Sequence, residues 1–422
     1  MPIEVGRLKT VLLDALENVR RTDYIQRNIQ MESNMPYIFV GVRRCGKSFL
    51  LYQRMFELIL KGHNWDEFLY INFEDERLIG FDVSDFNTLL EAHYSLYQEK
   101  SPILFLDEIQ NIDGWEKFAR RMADQKRIVY ITGSNAKMLS QEMVSSLGGR
   151  YLVKLVYPYS FSEFLTANQV DPDEKMLLST SGKGKIISMF EDYFYYGGFP
   201  ELVRITLKRD YLNSIFDKIY LGDIVMRYGV TNHKALEILM KKLAETVRHQ
   251  ISYSRLTNLI KSVGISVGTS TVIQYLEYAE ESQIIFSIEN FASKLVQKTT
   301  TPKYYFIDNG LLNLFLIKSE PALLENLVAI TLVRKYGREN AVYYYEKNIE
   351  VDFYIPSQSM AIQVCYSMRD PTTFEREVNA LYKLSGYIHC EKLMIITYDE
   401  EAVIKEKGVE IELVPVWKWL LG

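Results

Sequence analysis

The chain is poor in the residues that mark secreted or metal-built proteins. Its 422 residues include three cysteines, Cys45, Cys365 and Cys390, far apart and with no C-x-x-C pair. That excludes a disulfide framework and a cysteine zinc site, and it suits a reducing cytoplasm. The five histidines are scattered, so no histidine metal motif forms. No run approaches the roughly 18 apolar residues of a membrane span, and Met1–Thr10 carries no apolar signal core. The chain therefore reads as cytoplasmic, with no membrane partner. An excess of positive charge is also lacking. The formal net charge is −5, so any nucleic-acid surface has to be local.

What is present is an ordinary globular composition, 48% hydrophobic and 24% charged. The length implies roughly two to four domains. The 30 tyrosines read as half-buried strand residues. From Met35 to about Tyr157, short apolar runs alternate with helical stretches: Tyr37–Val42, Glu67–Phe73, Ile103–Leu106, Ile128–Thr132 and Tyr151–Val156. Uninterrupted apolar strands separated by helices predict a parallel α/β sheet buried on both faces. Tyr159 to about Val230 reads as mainly helical, broken by the turn Gly197-Gly198-Phe199-Pro200.

Gly41-Val-Arg-Arg-Cys-Gly-Lys-Ser48 fits G-x-x-x-x-G-K-[ST], after an apolar strand and before the helical run Phe49–Leu60. Glycines at 41 and 46 let backbone N–H groups turn toward phosphate. Lys47 brings a point charge to the β- and γ-phosphates of ATP, and Ser48 brings a hydroxyl to Mg²⁺. The helix N-terminus adds partial positive charge. The expected nucleotide-binding set is Gly41, Arg43, Arg44, Cys45, Gly46, Lys47, Ser48 and Phe49. Arg43 and Arg44 read either as groups facing the nucleotide or lid or as solvated charges. Cys45 reads as a small loop residue or an oxidisable thiol.

Ile103-Leu-Phe-Leu-Asp-Glu108 is a buried strand delivering two acids to the same sheet edge. Asp107 is placed to hold Mg²⁺ together with Ser48, and Glu108 to activate water. After the next strand, Asn135 or Ser134 either holds the water or γ-phosphate or caps a loop. Arg150, just before the strand at Tyr151, reads as an arginine finger or as a cation at a helix C-terminus. A finger acting on a neighbour's ATP requires a homo-oligomer. The expected catalytic set is therefore Glu108, Lys47, Arg150 and Asn135.

Together these segments resemble an AAA+ ATPase. More narrowly, the chain resembles a prokaryotic ATPase family with a G-x-R-R-x-G-K-[ST] loop, an L-D-E-I-Q segment (Leu106–Gln110), a G-S-[NS] segment (Gly133–Asn135) and a G-R pair (Gly149–Arg150). The Gly197–Pro200 turn also looks like that family. The resemblance implies an AAA+ fold in residues 1–158, a helical lid in 159–230 and a C-terminal restriction-endonuclease-like domain in 311–422.

Residues 231–310 read as three helices and two strands, the layout of a winged helix. The helix Ser270–Ser282 offers Thr269, Ser270, Thr271 and Gln274 to DNA, with Lys261, Lys294 and Lys298 nearby. Glu277, Glu280 and Glu281 on its outer face would repel phosphate. DNA and a protein partner both stay open. In the last domain, Glu350 and Asp352 share one strand face, and Gln363 and Cys365 share another. Glu325 on the preceding helix is placed to complete a metal site. The resemblance implies a lysine where Cys365 stands and an acid, or sometimes Gln, where Gln363 stands. The missing lysine charge is the decisive departure and neutral Gln363 is a poorer metal ligand, so nuclease activity is expected to be lost. The reading is an ATPase that switches contacts of its C-terminal domains. The alternatives are an ATP-dependent nuclease and an ATP-binding switch with little turnover.

Overall fold

A computed structural model describes residues 3–32, 35–98, 101–134, 138, 141–293, 301–317, 319–338, 340–406 and 408–422. The chain forms two compact units, Met1–Val156 and Tyr157–Gly422.

The first unit is built on five parallel strands. They are β1 (Tyr37–Val40), β2 (Phe68–Asn72), β3 (Ile103–Asp107), β4 (Val129–Gly133) and β5 (Leu152–Leu155), ordered β2-β3-β4-β1-β5. All five lie where the apolar runs predicted. Every residue of β1, β3 and β4 is buried, as expected for central strands covered on both faces. Helices α1 (Val5–Arg21), α2 (Lys47–Leu60), α3 (Phe86–Tyr97), α4 (Trp115–Asp124) and α5 (Gln141–Leu147) belong to the same unit. Leu8, Val11 and Leu12 of α1 join Ile38, Leu69, Leu104 and Ile131 in one core. Because β1, β3 and β4 run parallel side by side, the loops at their C-terminal ends converge on one edge.

The second unit opens with helices α6 (Phe161–Ala167), α7 (Glu174–Leu178), α8 (Thr180–Tyr196) and α9 (Lys208–Asp217), followed by a π-helical stretch, Lys218–Met226. Three more follow: α10 (His233–Thr246), α11 (Tyr253–Ser262, capped by Ser252) and α12 (Thr269–Glu281). Then come β6 (Ile285–Asn290), β7 (Lys303–Phe306), α13 (Asn309–Asn313) and α14 (Glu320–Tyr336). The remainder is β8 (Tyr343–Glu346), β9 (Glu350–Ile355), β10 (Met360–Val364), α15 (Pro371–Ser385), β11 (Lys392–Thr397), β12 (Ala402–Glu406), β13 (Val409–Pro415) and α16 (Val416–Trp419).

These strands form one mixed sheet, β12-β13-β11-β10-β9-β8-β6-β7. β6 and β7 pair antiparallel, as the hairpin reading predicted, but β6 also pairs in parallel with β8. The sheet therefore runs continuously across the boundary expected at residue 310. β12 and β13 lie in the segment read only as a closing stretch. The turn Gly197–Pro200 is tied down inside this unit, where the Gly198 N–H donates to the buried Asp308 carboxylate at 2.8 Å.

Candidate functional site

The loop between β1 and α2 makes a tight turn. Arg44 (φ 64°) and Gly46 (φ 94°) both take left-handed backbone, strained for the first and natural for the second. Lys47 is buried at the helix start. Its ammonium sits 3.1 Å from Gly41 O, 3.2 Å from Val42 O and 3.4 Å from Glu108 Oε1. Cys45 is fully buried, and burial pushes its thiol above the usual range. Arg43 pairs with Glu74 at 2.6 Å and its charge also favours ionised Glu108. Arg44 and Phe49 are exposed, the latter packed on Tyr52 with ring centroids 5.4 Å apart.

Asp107 ends β3 fully buried. Its carboxylate accepts from Ser48, Thr132 and, at 3.0 Å, Tyr70 Oη. Burial and the Glu108 charge nevertheless push Asp107 up to about 6. Two acids facing one lysine thus leave negative charge to neutralise, and the hydroxyl of Ser48 points at the same carboxylate. That arrangement fits a divalent cation, which usually needs one or two protein ligands beside phosphates and water. Among the described residues no group of three or more His, Cys, Asp or Glu side chains is placed to hold a metal alone. Glu108 follows with left-handed backbone (φ 52°). Burial opposes its ionised form, but Lys47, Gln110 and Arg43 hold it below the usual carboxylate range.

The structure therefore brings Lys47, Ser48, Asp107 and Glu108 together. Tyr70, Thr132 and Gln110 join them unpredicted. Arg150 is engaged elsewhere: it pairs with Asp124 at 2.5 Å and donates to Leu147 O and Gly148 O, each at 3.3 Å. This is the helix C-terminal arrangement. Asn135 lies outside the described residues. Its neighbour Ser134 is buried and accepts from Gln110 Nε2 at 3.3 Å.

Residues 33–165 match a family described as an AAA domain, and 187–322 match a domain of unknown function. An uncharacterized protein of Methanocaldococcus jannaschii is 35% identical over 97% of this chain and 94% of its own length. An uncharacterized protein of Haemophilus influenzae is 32% identical, covering 96% and 98%. The chain belongs to their family. A Walker-type ATPase of Pyrococcus abyssi overlaps 75% of this chain and 96% of its own, at 14% identity and TM-score 0.38, too distant to assign function. Residues 33–165 are thus similar to AAA domains, and the parallel sheet of the first unit has the α/β fold of P-loop ATPases.

In the second unit this family member carries a further charged cluster. Lys303, the first residue of β7, is fully buried, with its ammonium 3.0 Å from Glu350 Oε1 and 3.6 Å from both Glu325 Oε1 and Asp352 Oδ1. Glu325 also accepts from Tyr305 Oη at 2.8 Å and Arg248 Nε at 3.2 Å. Gln363 Oε1 accepts from Asp352 N at 2.8 Å. A cavity of about 600 Å³ opens on Glu325, Glu350, Asp352, Gln363 and Arg376. The strand pattern foresaw the carboxylates. It could not foresee a lysine from β7, far away in sequence. Cys365 instead packs in an apolar cluster with Val378 and Leu381.

The reading of Glu280 and Glu281 as outer-face charges of α12 needs correction. Glu280 accepts from Ser287 Oγ at 2.7 Å and Glu281 from Tyr228 Oη, so both are inward-tied and only Glu277 stands exposed. Thr269, Ser270, Gln274 and Lys261 are exposed and Thr271 is half-buried. Lys294 and Lys298 lie outside the described residues. No described helix is long and apolar enough to cross a membrane.

Proposed function

We propose that the chain binds ATP with Mg²⁺ and hydrolyses it, and that the cycle changes how the second unit engages DNA or a protein partner. The observation carrying this reading is the meeting of Lys47 and Glu108 at 3.4 Å beside Asp107, on the edge where β1 and β3 end. Lys47 moves from loop carbonyls to the β- and γ-phosphates. Ser48 and Asp107 would hold Mg²⁺, which would neutralise phosphate charge. Glu108 takes a proton from water as the water oxygen bonds the γ-phosphorus. The bond to the β-phosphate oxygen breaks, leaving ADP and phosphate. Arg43, Arg44, Cys45, Gly46, Gly41 and Phe49 frame the nucleotide.

Arg150 and Asn135 stay in the reading only as groups completed by an assembly or by bound nucleotide. The lid, winged-helix and nuclease-like divisions are part of the same proposal. The test is Mg²⁺-dependent phosphate release by wild type and Glu108→Gln, with and without mixed DNA. Turnover that Glu108→Gln abolishes supports the engine. DNA stimulation selects nucleic acid as the partner. Absence of turnover with ATP binding intact selects the switch.

One observation favours a second reading, an ATP-dependent nuclease. Lys303 places a buried positive charge beside three carboxylates, Glu325, Glu350 and Asp352, that line an open cavity. Cleavage of a labelled DNA strand with Mg²⁺, lost in both Lys303→Met and Asp352→Ala at a temperature where the second unit of each stays folded, would establish it. No cleavage leaves the second unit a binding platform.

A further inference from the structure

The two carboxylate oxygens of Glu108 have different holders. Oε1 lies 3.4 Å from Lys47 Nζ, and Oε2 accepts from Gln110 Nε2 at 2.6 Å. Lys47 cannot serve both Glu108 and an incoming phosphate equally, because its ammonium already divides itself between loop carbonyls and that carboxylate. Once phosphate draws the lysine away, Gln110 stays hydrogen-bonded to Glu108, with the charge of Arg43 also acting on it. A carboxylate accepts only, so the amide must present its nitrogen to Glu108. The second N–H of the same nitrogen reaches Ser134 Oγ at 3.3 Å, just past β4. The amide oxygen lies toward Gly133, where a Cβ would stand 2.8 Å from it. Gly133 thus leaves the room in which this amide sits.

We infer that Gln110 is a positioning residue: it fixes the Glu108 carboxylate for attack by water and ties it to the end of β4. The inference rests on the hydrolase reading above. A glutamate has three side-chain torsions, and the backbone turn at Glu108 leaves them without the restraint of a regular strand. A single short, charge-assisted hydrogen bond removes much of that freedom. Misplacing a reacting group by about 1 Å costs roughly 100-fold in rate.

The experiment is steady-state phosphate release with full-length protein. Gln110→Ala is expected to lower kcat by about 10- to 100-fold while the KM for ATP stays within about twofold. Gln110→Glu keeps the size but sets a second carboxylate against the first, and is expected to lower kcat further. Added to Glu108→Gln, the Gln110→Ala change is expected to cost nothing more. Unchanged kcat in Gln110→Ala, or wild-type kcat in Gln110→Glu, overturns the inference. Silence of the wild type sinks the hydrolase reading alone. The pairing is then judged by thermal unfolding of Glu108→Ala, Gln110→Ala and the double variant. Non-additive shifts uphold it, and additive shifts overturn it.

Discussion

The Lys47 ammonium stands 3.4 Å from Glu108 Oε1, buried, with Gly41 O and Val42 O as its other partners. A cation and a carboxylate that belong to two motifs some sixty residues apart thus meet at one sheet edge. The roles proposed for them are separable, and substitution should separate them. Glu108→Gln is expected to keep nucleotide affinity and lose phosphate release by about 10²- to 10⁴-fold. Lys47→Ala is expected to lose nucleotide affinity itself. Binding of a fluorescent ATP analogue beside phosphate release distinguishes the two, and equal loss of binding in both would refute the division of labour.

Tyr70 reaches Asp107 Oδ2 at 3.0 Å from β2, and Tyr52 lies 3.1 Å behind it. Residues behind a metal-holding carboxylate fix its orientation. Tyr70→Phe is expected to raise the Mg²⁺ concentration for half-maximal turnover by about tenfold, with little effect on ATP affinity in excess Mg²⁺. A Mg²⁺ titration of phosphate release checks this, and an unchanged midpoint would leave Tyr70 a packing residue.

Arg150 donates from Nε to Asp124 and from Nη1 to Leu147 O and Gly148 O. Arg150 is partly exposed, so the pair with Asp124 is worth about 0.5–1 kcal/mol. Arg150→Ala is expected to lower the thermal midpoint slightly and keep turnover of dilute protein within about twofold of wild type. A collapse in turnover that mixing with Lys47→Ala protein restores would show instead that Arg150 serves a neighbouring chain.

The meeting of Lys47, Ser48, Asp107 and Glu108 was legible because its sequence signals are local. The loop at Gly41–Ser48 and the acids at Asp107 and Glu108 each follow an apolar strand in sequence, and those strands form as predicted. Tyr70 and Thr132 were not legible, because they meet Asp107 only through the lateral pairing of β2 with β3 and β3 with β4. The same holds for Lys303, which sequence spacing cannot connect to Glu350. Helical periodicity placed Glu280 and Glu281 outside. Tertiary partners, Ser287 and Tyr228, turn them inward. β13 alternates buried Ile411 and Leu413 with more exposed Glu410 and Glu412, a period-2 signal that was present in the closing stretch but short and charge-rich.

His93 gives the first unit a pH dependence of calculable sign. It is buried on α3, and its Nε2 hydrogen-bonds nothing among the described residues. Burial, helped by Arg127 and opposed by Asp66, lowers it from 6.5 to about 4. The unfolded chain therefore binds the proton first as pH falls. Stability from this residue is complete above about pH 6.5 and is lost progressively down to about pH 4. Thermal melts of wild type and His93→Phe across that window are expected to diverge, with the wild type falling more steeply. Parallel curves would mean that His93 is not held neutral.

Lys303 is the only cation within 4 Å of Glu350 and Asp352 among the described ion pairs, and Glu325 shares it with Arg248. Removing one partner from a buried ionic cluster strands the others, at about 3–5 kcal/mol. Lys303→Met keeps the apolar stem and deletes the charge, so it is expected to lower the melting transition of the second unit strongly. Lys303→Arg should restore part of it, because charge survives but the planar guanidinium does not fit an ammonium's pocket. Phosphate release, proposed for the first unit, is expected to survive Lys303→Met at temperatures where the second unit stays folded. A Lys303→Met protein as stable as wild type would mean that the three carboxylates are relieved by protons or solvent rather than by this lysine.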